Sequence, residues 1–151
     1  MASLRQYTYP GIGEWARKEM SYCQAVRVQE KIVCSGQGGW DRTTGEISTD
    51  LEAEVEQAFK NVEANLQHAG GKGWEQVYRV WTYSTNLKAT HDLLIARYRK
   101  YMPNHHAVWT ELGVAQLGLD TMHIEIEVEA YDPEGAAAAA AEAEAEAGKT
   151  D

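Results

Sequence analysis

Cysteine is nearly absent. Cys23 and Cys34 are the only two, with no C-x-x-C spacing, which excludes a disulfide framework and a thiolate metal site and suits a reducing compartment. Basic residues are also scarce: 14 Lys and Arg stand against 23 Asp and Glu, a formal charge of −9. A phosphate backbone wants a Lys/Arg stripe, so no nucleic-acid partner is expected. No apolar run has the length to cross a bilayer, so no membrane partner is expected either. The opening MASLRQYTYPGIGEW lacks an apolar signal region, and the expected address is the cytoplasm.

What is present suffices for one domain. The 151 residues are 44% hydrophobic and include five Trp and eight Tyr, enough for a sizeable core. Much of the negative charge is local: Asp132, Glu134, Glu142, Glu144, Glu146 and Asp151 share the end of the chain with Lys149 alone. We divide the chain into an N-terminal extension (1–20), a folded domain (21–131) and a low-complexity Ala/Glu tail (132–151). Ala favours helix, but the tail has nothing large to bury, so an appended helix is expected there.

Two β-prone runs, SYCQAVRV and KIVCSGQ, flank Gln29-Glu30 and read as a hairpin. Thr49-x-x-Glu52 has the form of a capping box, and Val55, Ala58, Phe59, Val62 and Leu66 follow at helical spacing until Ala69-Gly70-Gly71. WEQVYRVWTYST reads as a strand with Tyr78, Val80 and Thr82 on one face and Arg79, Trp81 and Tyr83 on the other. A second helix is expected from about Thr90 to Pro103. In HAVWTELGV the more apolar Val108, Leu112 and Val114 alternate with Trp109 and Glu111, which places the latter two away from the core. HIEIEVEAY alternates without a break, Ile124, Ile126 and Val128 inward, Glu125, Glu127 and Glu129 outward. The order β-β-α-β-α-β-β predicts an α+β domain, one sheet with two helices on one face. Its other face then carries Trp81, Trp109 and several carboxylates, a poor surface to leave in water, so we expect a subunit interface with sites between chains.

Three motifs are weaker than they look. Gly36-x-Gly38-Gly39 has no Lys-Ser/Thr and no helix directly after it, so turn glycines explain it better than a phosphate loop. His105 and His106 are adjacent on an extended segment and point apart, so no metal is expected; His106 fits a pocket rim. Ser35 has no Ser-His-Asp grouping around it. A carboxylate such as Glu125 crowded by Glu127, or by Glu111, acquires a raised pKa and suits general acid–base work.

Tyr22-Cys23-Gln24-Ala25-Val26, Cys34-Ser35-Gly36-Gln37, Thr44-Gly45-Glu46, Ala69-Gly70-Gly71 and Ile124-Glu125-Ile126-Glu127 occur in an order and at a spacing that resemble the RidA family, also called YjgF or L-PSP endoribonuclease proteins. Gly38-Gly39-Trp40-Asp41 and Trp109-Thr110 are similar to its fungal members. The resemblance implies a chorismate-mutase-like fold, a homotrimer with a ligand cleft between each pair of subunits, no cofactor, and hydrolysis of reactive enamines or imines such as 2-aminoacrylate. It also implies that Tyr22, Ser35 with Gly36, and Glu125 line the cleft, Glu125 positioning water. The ungapped match puts Trp109 where the deaminases carry an Arg for the substrate carboxylate, Glu111 where many have Cys, and Ile95 where some have Asn.

These readings converge on a trimeric protein acting on a small organic metabolite. Glu125, Glu111 and Tyr22 are the expected catalytic groups. Ser35, Gly36, Trp109, Trp40 and His106 are the expected substrate contacts. The chemistry expected is hydrolysis, dehydration or tautomerisation of an enamine-, imine- or enol-like intermediate, as in a biosynthetic tailoring step. The rival is a ligand-binding or protein-interaction trimer on the same scaffold, and the charge argues against an endoribonuclease.

Overall fold

A computed structural model describes residues 4–149; residues 1–3 and 150–151, the outer ends of the expected extension and tail, lie outside the described residues. The elements are β1 (Arg5–Tyr7), α1 (Ile12–Met20), β2 (Ala25–Val28), β3 (Lys31–Cys34), β4 (Gln37–Gly38), α2 (Leu51–His68), β5 (Val77–Ser84), α3 (Leu87–Tyr101), β6 (Val108–Gly113), β7 (Ile124–Tyr131) and α4 (Pro133–Ala147). They form an α+β domain around one mixed sheet of order β1-β2-β3-β7-β5-β6, with β4 paired to β7 beyond the end of β3. All pairs are antiparallel except β5–β6, whose parallel alignment is made possible by the crossover through α3.

The expected hairpin forms as β2 and β3, with Gln29 at φ +55° in its turn. Helix α2 starts at Leu51, because Asp50 takes the cap and accepts from Ala53 N at 3.2 Å; the Thr49–Glu52 box is displaced by one residue. Its stripe of Val55, Ala58, Phe59, Val62 and Leu66 is buried against Ile32, Val80, Ile124, Ile126 and Val128. Phe59 stacks on Trp74 with centroids 4.6 Å apart. Helix α3 begins about a turn earlier than expected, capped by Asn86, and Thr90 is buried with its hydroxyl donating to Ser84 Oγ at 2.8 Å.

Two faces differ from the sequence reading. On β6, Trp109 and Glu111 lie on the helix side, because they pair with Val80 and Thr82 and paired residues share a face. Val108 and Leu112 point away from the helices, 63% and 38% exposed. At this sheet edge the indole outcompetes the aliphatic residues: Trp109 packs edge-on to Tyr98 at 5.0 Å and donates to buried Thr82 Oγ1 at 2.9 Å. On β5, a bulge between Val77 and Arg79 turns Tyr78 outward, where its hydroxyl meets Glu129. The outward face thus carries Tyr78, Arg79, Trp81, Tyr83, Glu125, Glu127 and Glu129, partly paired among themselves. Arg79 lies 4.3 Å over the Trp81 ring, and Tyr83 donates to Glu127 at 2.7 Å, a bond that with burial pushes its hydroxyl up to about 12.

The chain ends do more than flank the domain. Residues 5–7 pair with β2, and α1 packs through Gly13 and Ala16. At the other end the buried Asp132 caps α4, accepting from Gly135 N at 3.1 Å, Gln76 Nε2 at 3.0 Å and Arg27 Nη2 at 2.8 Å. Helix α4 itself buries no residue. No helix among the described residues is long and apolar enough to cross a membrane.

Candidate functional site

A cavity of about 270 Å³ opens where α1, the segment before β2, the β3–β4 turn, Trp40, the 118–122 loop and β7 meet. Tyr22, Ser35, Gly36, Trp40 and Glu125 all line it. Strand β7 delivers Glu125 outward between the buried Ile124 and Ile126, and β4 pairs alongside through Gly38↔Glu125. Gly36 lets the carboxylate lie against the backbone: a Cβ there would stand 2.0 Å from Glu125 Oε1. Burial raises the Glu125 carboxyl above its ordinary range, and Glu127 adds to the shift. Among the described residues no hydrogen bond reaches that carboxylate.

Behind the cavity wall runs a buried polar chain. Trp40 Nε1 donates to Tyr9 Oη at 3.1 Å, Tyr9 Oη donates to Gln37 Oε1 at 2.7 Å, and Gln37 Nε2 donates to Gln24 Oε1 at 2.8 Å. Ser35 Oγ donates to the Gln24 carbonyl at 3.1 Å, so its proton is committed to the scaffold and its lone pair is what the cavity can use. Trp40 likewise spends its N–H inside and presents ring surface. Burial raises the Tyr9 hydroxyl well above its ordinary range, so it stays a neutral donor in this chain. The groups left for chemistry are a carboxyl whose pKa burial raises, the Tyr22 side chain and an apolar wall.

The other expected site residues lie elsewhere. Trp109 and His106 line a second cavity, about 500 Å³, between α3 and β6, with Val80, Ile95, Tyr98 and Arg99. Glu111 stands on the same strand face, its Oε2 2.7 Å from His91 Nδ1 of α3, while its Oε1 is buried without a partner among the described residues. The His91 ring stacks over Trp109 at 5.8 Å. The two cavities share no lining residue, so a single chain does not bring Glu111, Trp109 or His106 to Glu125. Sequence reading missed His91, the polar chain of Tyr9, Gln24 and Gln37, and the wall supplied by Ile12, Trp15, Ala16 and Met20. The helical spacing of Ile12, Trp15, Ala16 and Met20 was the available signal for that wall. Among the described residues no cluster of three or more His, Cys, Asp or Glu is placed to hold a metal.

A single-sheet α+β chain carrying small-molecule-sized cavities and a seated carboxyl on its central strand is the class that fold and site define. Residues 16–132 match the family described as endoribonuclease L-PSP, and the chain belongs to that family, the RidA/YjgF proteins. It is 39% identical over 72 residues to a RutC family protein of Aquifex aeolicus (strain VF5), a match covering 48% of this chain and 57% of that relative's length. Among solved structures it is similar to RidA from the Antarctic bacterium Psychrobacter sp. PAMC 21119, at 29% identity and TM-score 0.68, covering 74% of this chain and 88% of that one. Yeast Mmf1, 22% identical with TM-score 0.74 over 86% of this chain and 99% of that one, shares the fold.

Proposed function

We propose that this protein is a homotrimer acting on a small, reactive organic metabolite without a cofactor, in clefts completed between subunits. Glu125 serves as general acid–base toward an enamine-, imine- or enol-like centre, and Tyr22 donates a hydrogen bond. The observation that carries the reading is Glu125 itself, a carboxyl with a raised pKa, without a hydrogen bond among the described residues and seated on Gly36 in a largely apolar cavity. Assembly is supported by the separation of the two half-sites on one chain and by the exposed Val108 and Leu112 on the edge strand β6. A neighbouring copy that lays its β6–α3 edge against the Glu125 cavity brings Trp109 and His106 to it.

Standard 2-aminoacrylate deamination is not the reaction we assign. The strand position expected to hold the substrate carboxylate carries an indole whose N–H is already spent on Thr82, beside the carboxylate of Glu111. Neither replaces a bidentate guanidinium. With a net charge of −9 we also assign no nucleic-acid substrate, and we place the protein in the cytoplasm.

The test is to identify the small molecule that co-purifies with native protein by mass spectrometry, then compare wild type with Glu125→Gln. Loss of turnover with binding kept supports acid–base catalysis. Equal conversion by both proteins would remove Glu125 from the chemistry, and no conversion by either with binding kept favours the second reading, a ligand-binding trimer on the same scaffold.

A further inference from the structure

We infer that α1 turns the Glu125 cavity into a chamber for the uncharged apolar ring or branched chain of the ligand, with Trp15 and Met20 as the residues that set this preference. The inference rests on the reading of Glu125 as the centre of the site and names the substrate class that site takes.

The wall lies partly ahead of the residues that match the family. The family match runs over residues 16–132, so Ile12 and Trp15 stand ahead of it, yet both line the cavity with Ala16 and Met20. It is held in place. Ile12 N donates to the Arg42 carbonyl at 2.7 Å, and Gly11, at φ +81°, brings its backbone so close that a Cβ would meet that carbonyl oxygen at 2.2 Å. Gly13 and Ala16 bury the inner side of the helix against Tyr9 and Gln24, the chain that also fixes Ser35.

Two large side chains are left unburied on this anchored helix: Trp15 is 49% exposed and Met20 56%. Side chains of that size standing open beside a cavity offer apolar contact that the chain itself does not use. Leu119 and Met122 line the same space. Among the described residues lining the cavity, Glu125 alone is charged. An anionic group seated here meets a carboxylate and no cation, whereas a neutral ring is accepted and an attached ammonium or N–H finds Glu125.

The test uses full-length protein and three probes sharing a naphthalene frame: 2-naphthylmethanol, 2-naphthylmethylammonium and 2-naphthoate, each titrated by calorimetry at pH 7.5. We expect the neutral and cationic probes to bind and the anion to bind at least about tenfold more weakly. Trp15→Ala and Met20→Ala, both at exposed side chains, should each weaken the neutral probe several-fold with unchanged far-UV circular dichroism. Glu125→Gln should abolish the cation-over-anion preference. If no probe binds at millimolar concentration, or Trp15→Ala and Met20→Ala both leave neutral binding unchanged, the chamber is overturned. If those variants weaken binding but Glu125→Gln alters no charge preference, the chamber stands and the Glu125 reading falls.

Discussion

Gly36 and Glu125 occupy one another's space: the carboxylate of the strand residue fills the volume that any side chain on the turn residue would need, with Oε1 2.0 Å from the ideal Cβ position. Gly36→Ala must therefore push Glu125 off its seat. Because the atom in the way is the end of a flexible side chain, the fold should survive. The effect should be seen in titration. Wild-type Glu125 should lose its proton above the ordinary carboxylate range, and Gly36→Ala should return it toward that range as the group moves into water. Carbon-13 NMR of the Glu125 carboxyl checks this; identical titrations in both proteins would sink the idea.

The same shift has a stability sign. Glu125 holds its proton more tightly folded than unfolded, so its contribution is fully present at low pH and is lost as pH rises through the raised value. Glu125→Gln should therefore be no less stable than wild type at pH 7.5, measured by urea denaturation. A loss of more than about 1 kcal/mol would mean that the charged form is held by favourable contacts.

Asp132 carries the opposite sign. Its burial alone would raise the carboxyl, but the hydrogen bonds from Arg27, Gly135 and Gln76 prevail and hold it below its usual range. That contribution is present above the unfolded pKa of about 3.9 and is lost as pH falls through the lower folded value. Asp132→Asn leaves the buried Arg27 guanidinium without its counter-charge and should cost about 3–5 kcal/mol at pH 7. Chemical denaturation at pH 7 decides it, and a cost under about 1 kcal/mol would contradict the account.

Deleting Gly135 to Asp151 should change stability by less than about 1–2 kcal/mol, because α4 buries no residue and the Arg5–Glu142 ion pair that the deletion removes is exposed. Differential scanning calorimetry of the truncated chain is the check. A larger loss would place the tail within the folded unit.

Much of the architecture was legible because the burial pattern matches the period of each element. The α2 stripe and the strict alternation of β7 were both readable, and β7 carries Glu125. What misled is equally physical. On β6 hydrophobicity pointed the wrong way, since an edge strand can afford exposed Val108 and Leu112 while an indole finds Tyr98 and a Thr82 hydroxyl on the helix side. Tyr78 was misplaced because a bulge leaves no mark in composition. Helix α1 was passed over although Ile12, Trp15, Ala16 and Met20 stand at helical spacing, because its nine residues are few and Trp15 and Met20 face a cavity instead of the core. The grouping of Tyr22, Ser35, Gly36 and Glu125 came from the family resemblance; no spacing in the chain puts residues so distant in sequence together.

Substrate choice follows from the strand position that carries Trp109. Replacing a charge-assisted carboxylate grip of about 1.5–3 kcal/mol by an engaged indole should lower kcat/KM for 2-aminoacrylate by about ten- to a few hundredfold relative to an Arg-bearing family member. Assay with 2-aminoacrylate generated in situ is the check, and comparable rates would refute the assignment. Trp109→Arg combined with Glu111→Cys should recover part of the activity.

The central claim is that the site is completed between copies of the chain, and native mass spectrometry of the full-length protein at micromolar concentration tests it most directly. The account predicts a dominant species at three times the 16.8 kDa chain mass, holding small-molecule adducts in the wild type. A protein that remains a single chain under those conditions would contradict it.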